Sequence, residues 1–211
     1  MVTEHSSLLL LLNWMSPTFP IGNFAYSHGL EQAIVDGRLT TQREVELWIY
    51  ALLKSGSGWN DAVLFAQCWH GNPNEVALAL AGSAERYTET AELGRNFNIA
   101  AAVWTGEEKT GGIMAYPVAA GMACRRMNIP QQDALAAYLQ GFCAALVSVA
   151  VRLVPLGQTA GLKVLRDLAP LISATAVKAC SATLNDLGSN CIAAEIAAMR
   201  HETLATRIFR T

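Results

Sequence analysis

Apolar residues along this 211-residue chain recur at helical spacing, and strand-type alternation is scarce. The leucine run Leu8–Leu12 predicts a short helix over 6–15. Two prolines, Pro17 and Pro20, then forbid its continuation and predict an irregular loop over 16–23. A helix is expected over 25–36, with Leu30, Ala33 and Ile34 on one face and Gly37 as its stop. Thr41-Gln42-Arg43-Glu44 reads as a capping box, followed by Val45, Trp48, Ile49, Leu52 and Leu53 on one helical face. Further helices are expected over 61–70, from Asn72 as cap with Pro73 at the first helical position, and over 88–104 before Gly106. After a break at Gly111-Gly112, residues 113–127 are helix-like, with Pro117 either kinking the helix or near its start. Pro130 opens the longest segment, where Leu135, Leu139, Phe142, Leu146, Val149 and Leu153 step by four and three until Pro155 and Gly157 end it. Segments 160–184 and 190–203 complete the helices. The expectation is an all-α, single-domain helical bundle of roughly eight to ten helices. A pillar over 130–154, about 37 Å long, would stand at its centre.

Composition changes this picture in one respect. The chain has 15 basic and 17 acidic residues, for a formal net charge of −2, and 52% of its residues are hydrophobic. Disorder is excluded for most of the chain, and the basic footprint of a nucleic-acid binder is missing. Charged residues are only 15%, against about 25% in an ordinary soluble domain, so surface is expected to be hidden against lipid or other proteins. Residues 134–151 are charge-free and at the lower limit for a membrane span. Their alanines and polar residues, and the lack of a flanking basic cluster, favour a helix buried inside the bundle. Glu4 and His5 ahead of the leucines, and Asn13 directly after, argue against a secretory signal. Five widely spaced cysteines without a C-x-x-C pair read as free thiols in a reducing, cytoplasmic setting.

Candidate chemistry is thin. The four histidines form no metal-ligand pattern beyond Cys68 with His70, and no phosphate loop, dinucleotide fingerprint or nucleophile elbow is present. No cofactor or metal site is expected. His28 and Glu31, three apart, are either an acid/base pair or a solvated contact on a helix face. Arg152, at the end of the apolar stretch, is either a structural arginine paired at a helix end or a partner-facing one able to influence a phosphoryl-transfer site. The end of the chain, with Arg207, Ile208, Phe209 and Arg210, is either a frayed tail or a peptide-like anchor.

Three ordered segments carry a resemblance. Ser16-Pro17-Thr18-Phe19-Pro20-Ile21-Gly22-Asn23-Phe24-Ala25-Tyr26-Ser27-His28-Gly29-Leu30-Glu31 resembles the S-P-x-x-P-I-G-G-F-S-Y-S-x-G-L-E of the UreF family of urease accessory proteins. Ala150 to Thr159 resembles its A-x-R-L-x-P-L-G-Q-T, and Arg200-His201-Glu202 with Arg207 to Thr211 resembles its R-H-E … R-L-F-R-S ending. Asn23 stands for a family glycine, and Asn is the residue that best tolerates left-handed backbone after glycine. Ala160-Gly161-Leu162 stands where the family commonly has D-G-Q, which removes a carboxylate and an amide. The resemblance implies a non-enzymatic all-α homodimer that docks a UreD (UreH)-type protein, recruits and modulates the GTPase UreG, and serves nickel delivery to apo-urease. An alternative is a GTPase-activating regulator acting through Arg152 or Arg210. Partner contacts would involve Tyr26, His28, Glu31, Arg152, Gln158, Arg200, His201, Arg207, Phe209 and Arg210. Pro20, Gly22, Pro155 and Gly157 would shape the loops. Residues 1–205 would form the domain and 206–211 a docking tail.

Overall fold

A computed structural model describes residues 4–106 and 112–211 of the chain, so Gly111 of the expected break lies outside the described residues. The helices are α1 (Glu4–Trp14), α2 (Leu30–Val35), α3 (Gln42–Ser55), α4 (Ser57–Gln67), α5 (Asn74–Ala79), α6 (Ala84–Thr105), α7 (Tyr116–Arg126), α8 (Gln131–Leu153), α9 (Gly157–Cys180) and α10 (Ile192–His201). Short 3₁₀ turns occupy Asn23–Ala25 and Leu184–Asp186, and no strand occurs among the described residues. The all-α, single-bundle expectation is met.

The capping box forms as read. The Thr41 hydroxyl accepts from the Glu44 amide, and the Glu44 carboxylate accepts from the Thr40 and Thr41 amides. Pro117 sits in the first turn of α7, where its missing amide costs nothing. Val154 ends α8 in extended conformation (φ −105°, ψ 135°), as a residue before proline should. The α8 stripe packs as its spacing requires: Leu135, Leu139, Leu146 and Val149 are buried, with Phe142 and Leu153 partly so. Helix α8 is the one helix among the described residues long and apolar enough to cross a membrane. It instead packs against α9, α2, α4, α7, α3 and α1, the central position the sequence predicted. The five cysteines are free thiols, three of them buried; burial pushes the Cys68 and Cys143 thiols up to about 12, which leaves them inert.

Several boundaries differ from expectation, each for a local reason. The helix expected over 25–36 begins only at Leu30, because His28 (φ 53°) and Gly29 (φ 75°) hold left-handed backbone. Gly29 cannot be another residue: a Cβ there would lie 2.7 Å from the Ala198 amide nitrogen and 2.9 Å from the Ala194 carbonyl oxygen, both in α10. Helix α6 begins four residues before the expected 88, because the Ser83 hydroxyl accepts from the Arg86 amide and caps it. Pro73 is the cap of α5 and not its first residue, while the Asn72 side chain accepts from the Asn74 amide. Helix α4 starts at Ser57 and not 61. Helix α9 runs from Gly157 to Cys180 and not 160–184. Asn23 does not need the left-handed tolerance expected of it. Gly22 (φ 85°) takes that conformation, and Asn23 enters the 3₁₀ turn.

The aromatic core closes around α1 and α6. Trp14 meets Phe97 edge-on at 5.6 Å, and Phe19 lies at the same distance from Phe97. This packing anchors the 16–23 loop on the C-terminal half of α6. The N-terminal half of α6 remains to face α2, α10 and the last residues of the chain.

Candidate functional site

Helix α6 carries Glu85, Glu89 and Glu92 at spacings of four and three, which puts three carboxylates along one face. Glu89 and Glu92 are met by groups from both the 25–31 segment and the end of the chain, and Glu85 by His201 and Arg207. Glu85 accepts from Arg207 (2.5 Å) and from His201 Nδ1 (2.8 Å). Glu89 is paired with Arg86, lies 2.9 Å from His28 Nε2, and accepts from the Thr211 hydroxyl at 3.2 Å. Glu92 accepts from Arg210 through both oxygens (2.6 and 3.2 Å) and from the Tyr26 hydroxyl at 2.8 Å. The Arg210 guanidinium also lies over the Tyr26 ring, 5.4 Å from its centroid.

A fourth carboxylate, Glu31 of α2, is 3% exposed and serves three donors. Oε1 accepts from the Ile208 amide (2.8 Å), and Oε2 accepts from the Phe209 amide and from His201 Nε2 (2.9 Å each). His201 is therefore held between Glu31 and Glu85 by opposite ring nitrogens. The chain end is further tied by Arg210 N to the Ala25 carbonyl (2.7 Å), by the Ser27 amide to the Thr211 hydroxyl (3.0 Å), and by the Ser27 hydroxyl to the Thr211 carbonyl.

Electrostatics follow from burial and pairing. Burial alone would raise the Glu89 carboxyl, but the charges of Arg86 and His28 outweigh it and hold it at about 2. Asp61 of α4 goes the other way: burial raises it against the attraction of Arg86 and His28, while the Tyr138 hydroxyl donates to it at 3.0 Å. Burial, then the Glu92 hydrogen bond, raises the Tyr26 phenol. Cavities of about 100 and 40 Å³ lie on either side of this cluster, both lined by His28, Asp61 and Arg86.

Ser57 Oγ lies 3.3 Å from His28 Nδ1, and Glu89 lies on the other ring nitrogen, which is the outline of a nucleophilic triad. Arg86 defeats that reading. Its Nη1 sits 2.9 Å from the same Nε2 and is ion-paired with Glu89, so the carboxylate is already neutralised. Among the described residues no group of three or more His, Cys, Asp or Glu could hold a metal ion. The arrangement ties the 25–31 segment and the last residues of the chain to α6.

The structure thus gathers Tyr26, His28, Glu31, His201, Arg207, Phe209 and Arg210 into one cluster, with Arg200 at its edge bonded to Asp36 at 2.7 Å. Phe209, expected to anchor a partner, is 4% exposed and fills a site on its own chain. Tyr26, Glu31 and His201 are likewise enclosed. The expected His28–Glu31 contact does not form, because His28 precedes the helix and turns to α6 while Glu31 turns to His201. Arg152 and Gln158 lie elsewhere, exposed at the corner between α8 and α9. Arg152 has no ion pair or hydrogen bond among the described residues, whereas Arg210 is committed to Glu92. Pro20 and Pro155 are exposed, and Gly22 and Gly157 (φ 73°) turn the chain in open space. Sequence reasoning missed Glu85, Arg86, Glu89, Glu92, Asp61 and Thr211. The signal for Glu85, Glu89 and Glu92 was the i, i+4, i+7 carboxylate face of α6, obscured by starting that helix too late.

The UreF family profile matches residues 39–169. The chain is also 41% identical over 216 residues to the urease accessory protein UreF 1 of Brucella canis, covering 98% of this chain and 95% of that protein. It is 43% identical to the urease accessory proteins UreF of Mesorhizobium japonicum (97% and 96% covered) and Rhizobium etli (99% and 98% covered). The chain belongs to the UreF family. At 97 to 99% of this chain, the relatives' coverage takes in the 16–31 loop, which the profile match leaves out. The segments that suggested the family from sequence are therefore the ones this UreF-family fold brings together at α6, apart from the α8–α9 corner.

Proposed function

We propose that this UreF-family chain is a non-catalytic adaptor of urease metallocentre assembly, acting in the cytoplasm as a homodimer. It docks a UreD (UreH)-type protein and recruits and modulates the GTPase UreG, so that nickel, the cargo, reaches apo-urease. The observation that carries this reading is the mutual consumption of charge at α6. Every carboxylate of the Glu31, Glu85, Glu89 and Glu92 set meets a group from the chain's own loop or tail. Such a cluster builds a rigid platform and leaves no group free for proton transfer or nucleophilic attack. Residues 206–211 contribute to partner docking through what they leave outside: Ile208 is 71% exposed, and the neighbouring Arg207 side chain is 44% exposed. Tyr26, His28, Glu31, His201 and Phe209 position that surface.

Co-expression with a UreD-type protein and UreG, followed by mass measurement of the purified complex, tests the reading. A complex should form with the full chain and be lost on deletion of residues 206–211. An intact complex after deletion removes the tail from the docking surface, and failure of the full chain to bind either partner removes the adaptor reading.

A second reading is favoured by one observation, the exposed and unpaired Arg152 at the α8–α9 corner. It would act on the phosphoryl-transfer site of UreG, where an inserted arginine can be worth about 10³–10⁵ in rate. Arg152→Ala should then lower GTP hydrolysis per assembled complex. A loss of assembly with an unchanged rate per complex rejects it, and Arg210, already paired with Glu92, is the weaker candidate.

A further inference from the structure

The larger of the two cavities beside the α6 cluster is not explained by the tethering of the loop and the chain end. It holds about 100 Å³ between α4, α6 and α10. Its walls are apolar, with Leu52, Leu64, Ala77, Ala194 and Ala198 all buried. Exposed residues, Leu80, Gly82, Ser189 and Glu195, frame its mouth. Asp61 and Arg86 lie at its inner end, where the smaller cavity is lined by the same two side chains. Apolar walls around a few polar groups are the make-up of a small-molecule site.

Charge selects what fits. Besides His28, three charged residues line the cavity: Arg86, Asp61 and Glu195. Arg86 is spent on the cluster, its Nη1 meeting both Glu89 and His28 Nε2. Asp61 is not. Among the described residues it accepts one hydrogen bond, from the Tyr138 hydroxyl to Oδ2, and none at Oδ1. Burial raises its carboxyl, as it does for a carboxylate short of a counter-ion. With Arg86 balanced by Glu89, the charges of Asp61 and Glu195 are left over, which disfavours an anion. A divalent metal ion is a poor occupant too, because no group of three or more His, Cys, Asp or Glu among the described residues could hold one. On the scale by which a cavity of about 150 Å³ takes benzene, this one takes about four or five heavy atoms. That suits an amine on a short chain and is too small for an arginine side chain.

We propose that this cavity binds a primary ammonium group on a short alkyl stem, the ammonium donating to Asp61 and the stem lying along the leucine and alanine walls. Such a group arrives as a free alkylamine or as a lysine side chain of a docked protein. The chain alone should bind it, so the proposal does not depend on the adaptor reading.

Calorimetric titration of the purified full chain with n-butylammonium chloride tests this. Butan-1-ol serves as the uncharged ligand of the same shape, and Asp61→Asn and Glu195→Gln as the variants. Asn keeps an oxygen for the Tyr138 hydroxyl, and Glu195 is exposed, so the helical circular dichroism should hold in both. The wild type should take up one n-butylammonium with a Kd of about 1 mM. Butan-1-ol should bind about tenfold or more weakly, and Asp61→Asn should lose about tenfold or more for n-butylammonium. Glu195→Gln, at the mouth, should lose about two- to threefold. Asp133→Asn in α8, outside the cavity, should bind like the wild type. The same titration of the chain in complex with a UreD-type protein and UreG separates the two sources. Binding lost in the complex assigns the occupant to a partner's lysine, and binding retained assigns it to a free amine. No saturable binding to the wild-type chain, equal affinity for butan-1-ol, or undiminished affinity in Asp61→Asn overturns the proposal.

Discussion

Replacing Glu31 by Gln tests whether the end of the chain is held by charge or by apolar contact. Glu31 offers two acceptor oxygens to three buried donors, the Ile208 and Phe209 amides and His201 Nε2. Gln keeps one oxygen and turns an NH₂ toward at least one of those donors. Hydrogen bonds to a charged group contribute about 1.5–3 kcal/mol each. Breaking one side of a buried ion pair costs about 3–5 kcal/mol. The opposing apolar term comes from Phe209, whose full burial is worth about 1.5–3 kcal/mol. The loss therefore exceeds what Phe209 alone can offset, and the backbone at Ile208 and Phe209 should open between the Arg207–Glu85 and Arg210–Glu92 ties while the bundle stays folded. Hydrogen exchange read by mass spectrometry decides it. In Glu31→Gln, the Ile208 and Phe209 amides should exchange at the rate of an open segment, with the α8 amides still protected. Native-like protection at those two amides in the variant would refute the charge-held tail. Uniform loss of protection across α8 would refute its independence from the core.

Three further outcomes follow from single residues. Gly94 of α6 faces the α7 entry so closely that an added Cβ would sit 1.9 Å from the Met114 carbonyl oxygen. Gly94→Ala should therefore separate α6 from α7 and lower stability by about 3 kcal/mol or more, measured by urea denaturation; an unchanged midpoint rejects the close approach. Glu89 is held at about 2, below its ordinary 4.5. Its contribution, on the order of 3 kcal/mol, is present above about pH 4.5 and is lost as pH falls toward 2. Glu89→Gln should flatten that acid limb relative to the wild type, against which the raised Asp61 works in the opposite sense, and an unaltered slope argues against the Arg86 pairing. Thr41→Ala removes the acceptor for the Glu44 amide at the start of α3 and should cost about 0.5–2 kcal/mol, seen as a lower melting temperature.

Most of the architecture was legible in the chain because its signals are local. Spacing at three and four marked the buried face of α3 and the stripe of α8, the Thr41–Glu44 box marked a helix start, and proline and glycine marked the ends near 130 and 155. Low charge pointed to surface reserved for other chains, and the three ordered segments pointed to the family. Tertiary structure alone decided three things. His28 and Gly29 take left-handed backbone because α10 passes within contact of Gly29, and no local signal reports a helix 165 residues further on. Glu31 binds His201 and the chain end, not His28, because burial makes each carboxylate seek donors across the fold. The leucines of α1 divide into buried and exposed sets that a run of identical residues cannot distinguish. Only the position of α6 and α8 determines which side of that helix stays exposed.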